Sequence, residues 1–311
     1  MSIMRISLFG KFQVRCEERA LAGFEPRKAQ ELFGYLLLHR HQPHCREILA
    51  ELLWGDSPNG QSKKYLRQAL WQLQTALSSQ ASMLTEPILQ LEPDWIHVNV
   101  NAGFWLDVAE LERVFDYVQT VPAHRLDSQA ARSLHDAVEL YRGDLLEGCY
   151  HDWCLFERER LQNMCFAMLD KLTDYCEEHA DYESGIAYGE RILRIDRARE
   201  RTHRRMMRLH YLAGDRTAAL HQYERCVAAL EEELGVRPAG RTVALCEQIR
   251  ADQLVKTAAA PAADTAAAEL ATSSLPDVIG HLRQLQSLLA DAQRQIQDGI
   301  QAVEMVLNGR R

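Results

Sequence analysis

The sequence predicts a mostly α-helical protein with a small α+β segment at its N-terminus. Three observations carry that prediction. Apolar residues recur at three- and four-residue spacing almost without a break from Asp107 to about Gln253. Strand-like alternation is confined to two short stretches in the first 100 residues. A 34-residue internal repeat marks the helical part.

The elements follow in order. In residues 3–21, Ile6, Leu8, Phe12 and Val14 alternate with polar neighbours, and Gly10-Lys11 supplies a turn. Pro26 opens a first helix, with Leu32, Phe33, Leu36 and Leu37 on one face. After Pro43 a second short helix, CREILAELLWG, stops at Gly55. A third lies in PNGQSKKYLRQALWQLQTALSS, with Pro58 in its first turn and Ser62 as cap. Leu66, Leu70, Leu73 and Leu77 form a single stripe along it. Two strands follow in ILQLEPDWIHVNV, joined by Glu92-Pro93-Asp94.

In the helical part, Ala180–Ile186 aligns with Gly214–Leu220 at an offset of 34, and Glu190-Arg191 with Glu224-Arg225. That is the tetratricopeptide period. Gly185 and Ala219 are small where paired helices would cross closely. Residues 257–274 are Ala-rich and lack large apolar residues, as in a linker. From about 275 to 307 apolar residues alternate by three and four, Leu282, Leu285, Leu289, Ile296 and Val303 among them. This heptad seam is expected to oligomerise; Gly299 is its weak point.

Composition narrows the function. The chain of 311 residues is 47% hydrophobic and 26% charged, ordinary for a soluble globular protein. It contains no run of about 18 apolar residues and no secretory signal at MSIMRISLFGKF, so a cytoplasmic location without membrane association is expected. None of the eight cysteines forms a CxxC pair, and they read as reduced thiols. Net charge is −8, yet residues 1–80 hold 11 Lys/Arg against 7 Asp/Glu, a balance of +4. The other 231 hold 25 against 37, a balance of −12. Only the first segment suits a phosphate backbone.

The third helix is the candidate site. Opposite its leucine stripe lie Lys63, Lys64, Arg67, Gln68, Trp71, Gln72 and Thr75. Lys and Arg neutralise phosphates or read guanine, and Gln pairs with the adenine edge. A helix of this kind fits the major groove, and a hairpin wing lies beside it. Arg46, at the start of the second helix, is placed to hold a phosphate with help from the helix dipole. The alternative reading of the same residues is an ordinary solvated helix face.

The segments RISLFGKFQV, PRKAQELFGYLLLHR, REILAELLWGD, KKYLRQALWQLQTAL and LEPDWIHVNV resemble the winged helix of SARP-type regulators (Streptomyces antibiotic regulatory proteins). YRGDLLEG, ERERL and AGDRTAALHQYERCVAALEEELGVRP resemble their bacterial transcriptional activator domain. The resemblance covers about residues 3–253. It implies an N-terminal winged helix-turn-helix (1–105), then an all-α tetratricopeptide-like domain (106–255). The linker (256–274) and a C-terminal coiled-coil helix (275–311) lie outside it. It also implies sequence-specific binding to double-stranded DNA at promoter repeats, with contact to RNA polymerase and its sigma factor. The chain departs from the family pattern at Gln72, Gln74 and Thr75, where family members commonly carry arginines. Fewer cations imply weaker and less salt-sensitive binding per protomer. The wing is acidic (Glu86, Glu92, Asp94), with His97 its one candidate cation.

Other chemistry finds little support. GxxxxGK[ST] is absent, so no ATPase module is expected. Cys149, His151 and Cys154 lack the spacing of structural zinc, and neither metal nor cofactor is expected. No constellation of acid, base and nucleophile suggests an enzyme. The expected function is a DNA-binding transcription regulator, an activator that recruits RNA polymerase and works as a homo-oligomer. The alternatives are a protein-interaction scaffold built on the repeats, or a ligand-sensing regulator with a degenerate DNA-binding domain.

Overall fold

A computed structural model describes residues 3–16, 19–55, 60–79 and 86–254. It begins with strand β1 (Met4–Ser7), which pairs antiparallel with β2 (Gln13–Cys16) in the register Met4↔Cys16 and Ile6↔Val14. Period-two alternation buries Met4, Ile6 and Val14 and exposes Arg5 and Arg15. Gly10 turns the chain at φ +78°, a conformation that disfavours any side chain. A short β3 (Arg19–Ala20) extends the sheet.

Three helices follow: α1 (Arg27–Leu38), α2 (Arg46–Trp54) and α3 (Ser62–Ser78). Strand β4 (His44–Cys45) leads into α2. Pro26 stands before α1, where its missing N–H costs nothing. One expectation at a helix end needs correction. Gln61, not Ser62, stands at the cap position of α3, and no side chain caps it. With ψ at 2° its backbone is not extended, and its carbonyl accepts from the N–H groups of Lys64 and Tyr65. Helix α2 ends at Trp54 with Gly55 at its C-cap, as expected, although Gly55 is right-handed at φ −56° rather than left-handed. Pro58 lies outside the described residues.

Strands β5 (Leu89–Leu91) and β6 (Trp95–Val98) form the expected hairpin, with Leu91 opposite Ile96. Two pairings were not expected. His44 of β4 pairs with Ile96, which makes the wing a three-stranded sheet in the order β4-β6-β5. A last strand, β7 (Phe104–Leu106), runs parallel to β1 and completes the first sheet in the order β3-β2-β1-β7.

Among the described residues, helices α4 (Asp107–Gln119), α5 (Ser128–Leu140), α6 (Asp152–Glu178), α7 (Tyr182–Ile195), α8 (Glu200–Leu212), α9 (Arg216–Leu234) and α10 (Gly240–Arg250) follow, with a 3-10 turn at Ala123–Arg125 between α4 and α5. The 34-residue repeat is visible in the backbone. Ala180 and Gly214 are both left-handed, at φ 56° and 88°. Asp181 and Asp215 then cap α7 and α9 by accepting from the N–H groups of Ser184 and Ala218. Gly185 packs against Leu209 and Cys176, and a Cβ there would lie 3.1 Å from Leu209 Cδ1. Ala219 is fully buried.

The apolar core runs without interruption across residue 105, from Met4 and Ile6 through Leu106 and Leu134 to Leu172 and Ile192. Leu146 N–H donates to Leu8 C=O at 2.8 Å, and Glu147 N–H to Gly10 C=O at 2.9 Å. Phe9 packs on Tyr141 at 5.0 Å, and Tyr35 of α1 meets Trp153 of α6 edge-on at 5.2 Å. The linker at 256–274 and the heptad residues Leu282, Leu285, Leu289, Ile296 and Val303 lie outside the described residues.

Asp107, the first residue of α4, ties this seam together. Its carboxylate accepts from the N–H groups of Leu8 at 2.8 Å, Phe9 at 3.0 Å and Val108 at 2.8 Å. Burial raises its pKa from 3.8 to about 6, against the pull of those N–H groups. The folded state therefore holds this proton more tightly than the unfolded chain does. The group's contribution to stability is largest below pH 4, falls as pH rises toward 6, and is constant above. Asn at 107 would put an amide donor against backbone donors, at a cost of about 1–3 kcal/mol. Urea unfolding of the wild type and Asp107→Asn should show the stability gap between them narrowing as pH rises from about 4 to about 6.

Candidate nucleic-acid interface

Helix α3 is held by its apolar side. Leu66, Ala69, Leu70, Leu73, Ala76 and Leu77 are buried, packed toward α1 and α2. At a period of 3.6 residues this fixes the opposite side toward solvent. Lys63, Lys64, Arg67, Gln68, Trp71 and Thr75 are exposed there, and Gln72 is half-buried. Trp71 keeps 66% of its surface, unusual for so large an apolar side chain. No acidic residue occurs anywhere on α3.

The cations differ in their commitments. The Lys63 ammonium is held by Glu47 of α2, and that hydrogen bond keeps the Glu47 carboxyl below the usual range. Lys64 and Arg67 have no acidic partner among the described residues. Thr75 Oγ1 donates to Trp71 C=O at 2.8 Å, so its hydroxyl is engaged with its own helix.

Arg46 is half-buried at the first turn of α2. Its backbone N–H donates to Asp94 C=O at 2.9 Å, which ties α2 to the β5–β6 turn. Its Nε is buried without a hydrogen-bond partner. In the wing, Glu92 lies 3.6 Å from His97 Nε2, and Glu86 accepts from Asn99 Nδ2 at 2.6 Å. Trp95 is 44% exposed on β6. The structure thus brings seven of the eight sequence-derived residues onto one helix and sets Arg46 at the wing. Sequence reading missed Glu47 as the partner of Lys63. The two lie 16 residues apart on different helices, a separation that carries no local signal.

Elsewhere, Cys149 and Cys154 are both buried, and the Cys154 thiol donates to Leu145 C=O at 3.8 Å. The two thiols influence each other, so that Cys149 is held below the usual thiol range while Cys154 is pushed above it. Among the described residues no three His, Cys, Asp or Glu side chains converge as a metal requires, and no helix is long and apolar enough to cross a membrane.

Part of the chain matches a known domain family. Residues 106–250 match the bacterial transcriptional activator domain family. The chain is similar to the regulatory protein AfsR of Streptomyces coelicolor, 24% identical over 277 residues. That match covers 89% of this chain and 27% of AfsR, so the chain spans about a quarter of that relative's length. It is also similar to the transcriptional regulatory protein MoaR1 of Mycobacterium tuberculosis, 24% identical over 225 residues and covering 71% of each. The fold resembles that of Mycobacterium tuberculosis EmbR, solved in complex with a low-affinity phosphopeptide. The TM-score is 0.63 at 20% identity, over 88% of this chain and 71% of that one.

The two sides of α3 predict opposite responses to truncation. Leu73→Ala, at a fully buried position, should cost about 2–5 kcal/mol. Trp71→Ala should leave stability within about 0.5 kcal/mol. Chemical denaturation of both variants checks the orientation of the helix.

Proposed function

We propose that the chain is a cytoplasmic transcription regulator that binds duplex DNA in a sequence-specific manner through α3. The observation that carries this reading is the solvent-facing, acid-free side of α3, with Lys64 and Arg67 unpaired beside Gln68, Trp71 and Gln72. Cations here supply sequence-independent affinity by releasing counterions from the phosphates. Lys64, Gln68, Trp71 and Gln72 supply discrimination at base edges in the major groove. Arg46, at the helix start beside the wing, takes a phosphate. The names of the relatives AfsR and MoaR1, both regulatory proteins, support the same role.

In this reading the helices from α4 to α10 offer the surface for RNA polymerase and its sigma factor, and the chain acts as an activator. The heptad seam through Leu282, Leu285, Leu289, Ile296 and Val303 pairs protomers. Joining two weakly binding modules raises their joint affinity through effective concentration, which offsets the shortage of arginines on α3.

A salt titration of binding to a random duplex and to fragments of the source genome tests the reading. Lys64→Ala and Arg67→Ala should each lower the slope of log affinity against log salt by about 1. Gln68→Ala should chiefly lower the preference for the selected sequence. Glu47→Gln should steepen the slope, because it frees Lys63. No binding to any duplex at low salt, with all four variants alike, would assign the work to the repeats as a scaffold.

A further inference from the structure

The repeat places an arginine at the same position on two helices, and the two have different surroundings. Arg191 of α7 is fully engaged. Its guanidinium pairs with Glu139 and donates to the carbonyls of Val138 and Tyr141 at the end of α5. Arg225, 34 residues on in α9, lies beside the end of α7. There it lines a cavity of about 420 Å³ together with Arg194 and Arg197. A second cation, Arg194, thus lines the pocket of Arg225, whereas the carboxylate of Glu139 faces Arg191.

Among the described residues neither Arg194 nor Arg225 makes a hydrogen bond, ion pair or ring contact. Arg197 is partly neutralised by Glu232 at 3.1 Å and Glu233 at 3.8 Å. Glu190 precedes Arg194 by one turn, and Glu224 adjoins Arg225 in sequence, without bonding to either. The remaining polar wall is His203, which is 3% exposed. Its Nε2–H donates to Arg197 C=O at 2.8 Å, and Nδ1 accepts from Gln222 Nε2 at 2.7 Å. Burial, with the charge of Arg225 adding to it, holds its pKa below the usual range, so the ring stays neutral. Leu193 and Ala229, both buried, make the rest of the wall apolar. An apolar wall strengthens the field of the two unpaired guanidiniums.

We propose that this pocket binds a small phosphate ester. Two guanidinium forks without counter-charge match a phosphate dianion, which accepts bidentate bonds from both. The apolar wall takes the organic part, and the volume lies within the range of small-molecule sites. Occupancy would bridge α7 and α9 and stabilise the repeat in proportion to the logarithm of ligand concentration. The site stands apart from α3 and does not depend on DNA binding.

Isothermal titration of the full chain with phenyl phosphate, at low salt and without DNA, tests this. Saturable one-to-one binding is expected, and phenol is expected to give none. Arg194→Gln and Arg225→Gln should each weaken binding about tenfold or more, which corresponds to about 1.4 kcal/mol. Unchanged thermal unfolding would show that these exposed substitutions preserve the fold. Should either variant unfold, Arg225→Lys keeps the charge, loses the fork, and should still weaken binding. Absence of saturable binding by phenyl phosphate, or equal affinity in wild type and variants, would overturn the proposal. So would binding of a glutamate-rich peptide in its place, which would make the pocket a protein-docking surface.

Discussion

The structure depends on the burial of one leucine stripe. Leu66, Leu70, Leu73 and Leu77 lie on the inner side of α3, each between 0% and 7% exposed. Removing such a side chain from water is worth about 1.5–3 kcal/mol, so rotating α3 to expose the stripe would cost more than a domain of this size can spare. The orientation of every polar group on the outer side follows from that constraint. Lys64, Arg67 and Gln68 face solvent because the leucines cannot.

A second constraint joins the helical repeats to the N-terminal segment. Asp107 satisfies backbone donors at the end of β1 while it begins α4. The 144–147 segment adds hydrogen bonds to Leu8 and Gly10, and Phe9 packs on Tyr141. With a continuous apolar core beneath them, these contacts leave little freedom between the α3 platform and the first repeat helices. A partner held by the repeats would therefore be held at a set distance from whatever α3 contacts.

Much of this was legible in the sequence, because the signals were local. The period of the leucines placed α3 and its free side. The 34-residue offset marked the repeat, which the structure shows as matching left-handed residues and aspartate caps before α7 and α9. What escaped was non-local. Strand β7 has three residues and finds its partner about 100 positions away in β1. Strand β4 has two residues and is defined only by β6. Pairings of that kind carry no periodicity of their own. The same holds at the candidate interface. Residue type placed Lys63 on the outer side, but only the packing of α2 against α3 brings Glu47 to it.

The central claim is that the outer side of α3 lies in a DNA groove. The most direct measurement is photo-crosslinking to bound genomic duplex, with a benzophenone-bearing residue at position 68 in one protein and at buried position 137 in another. The account predicts adducts to DNA from position 68, suppressed by unlabelled specific duplex, and none from position 137. Absence of adducts from position 68 while the protein remains bound to DNA would contradict it.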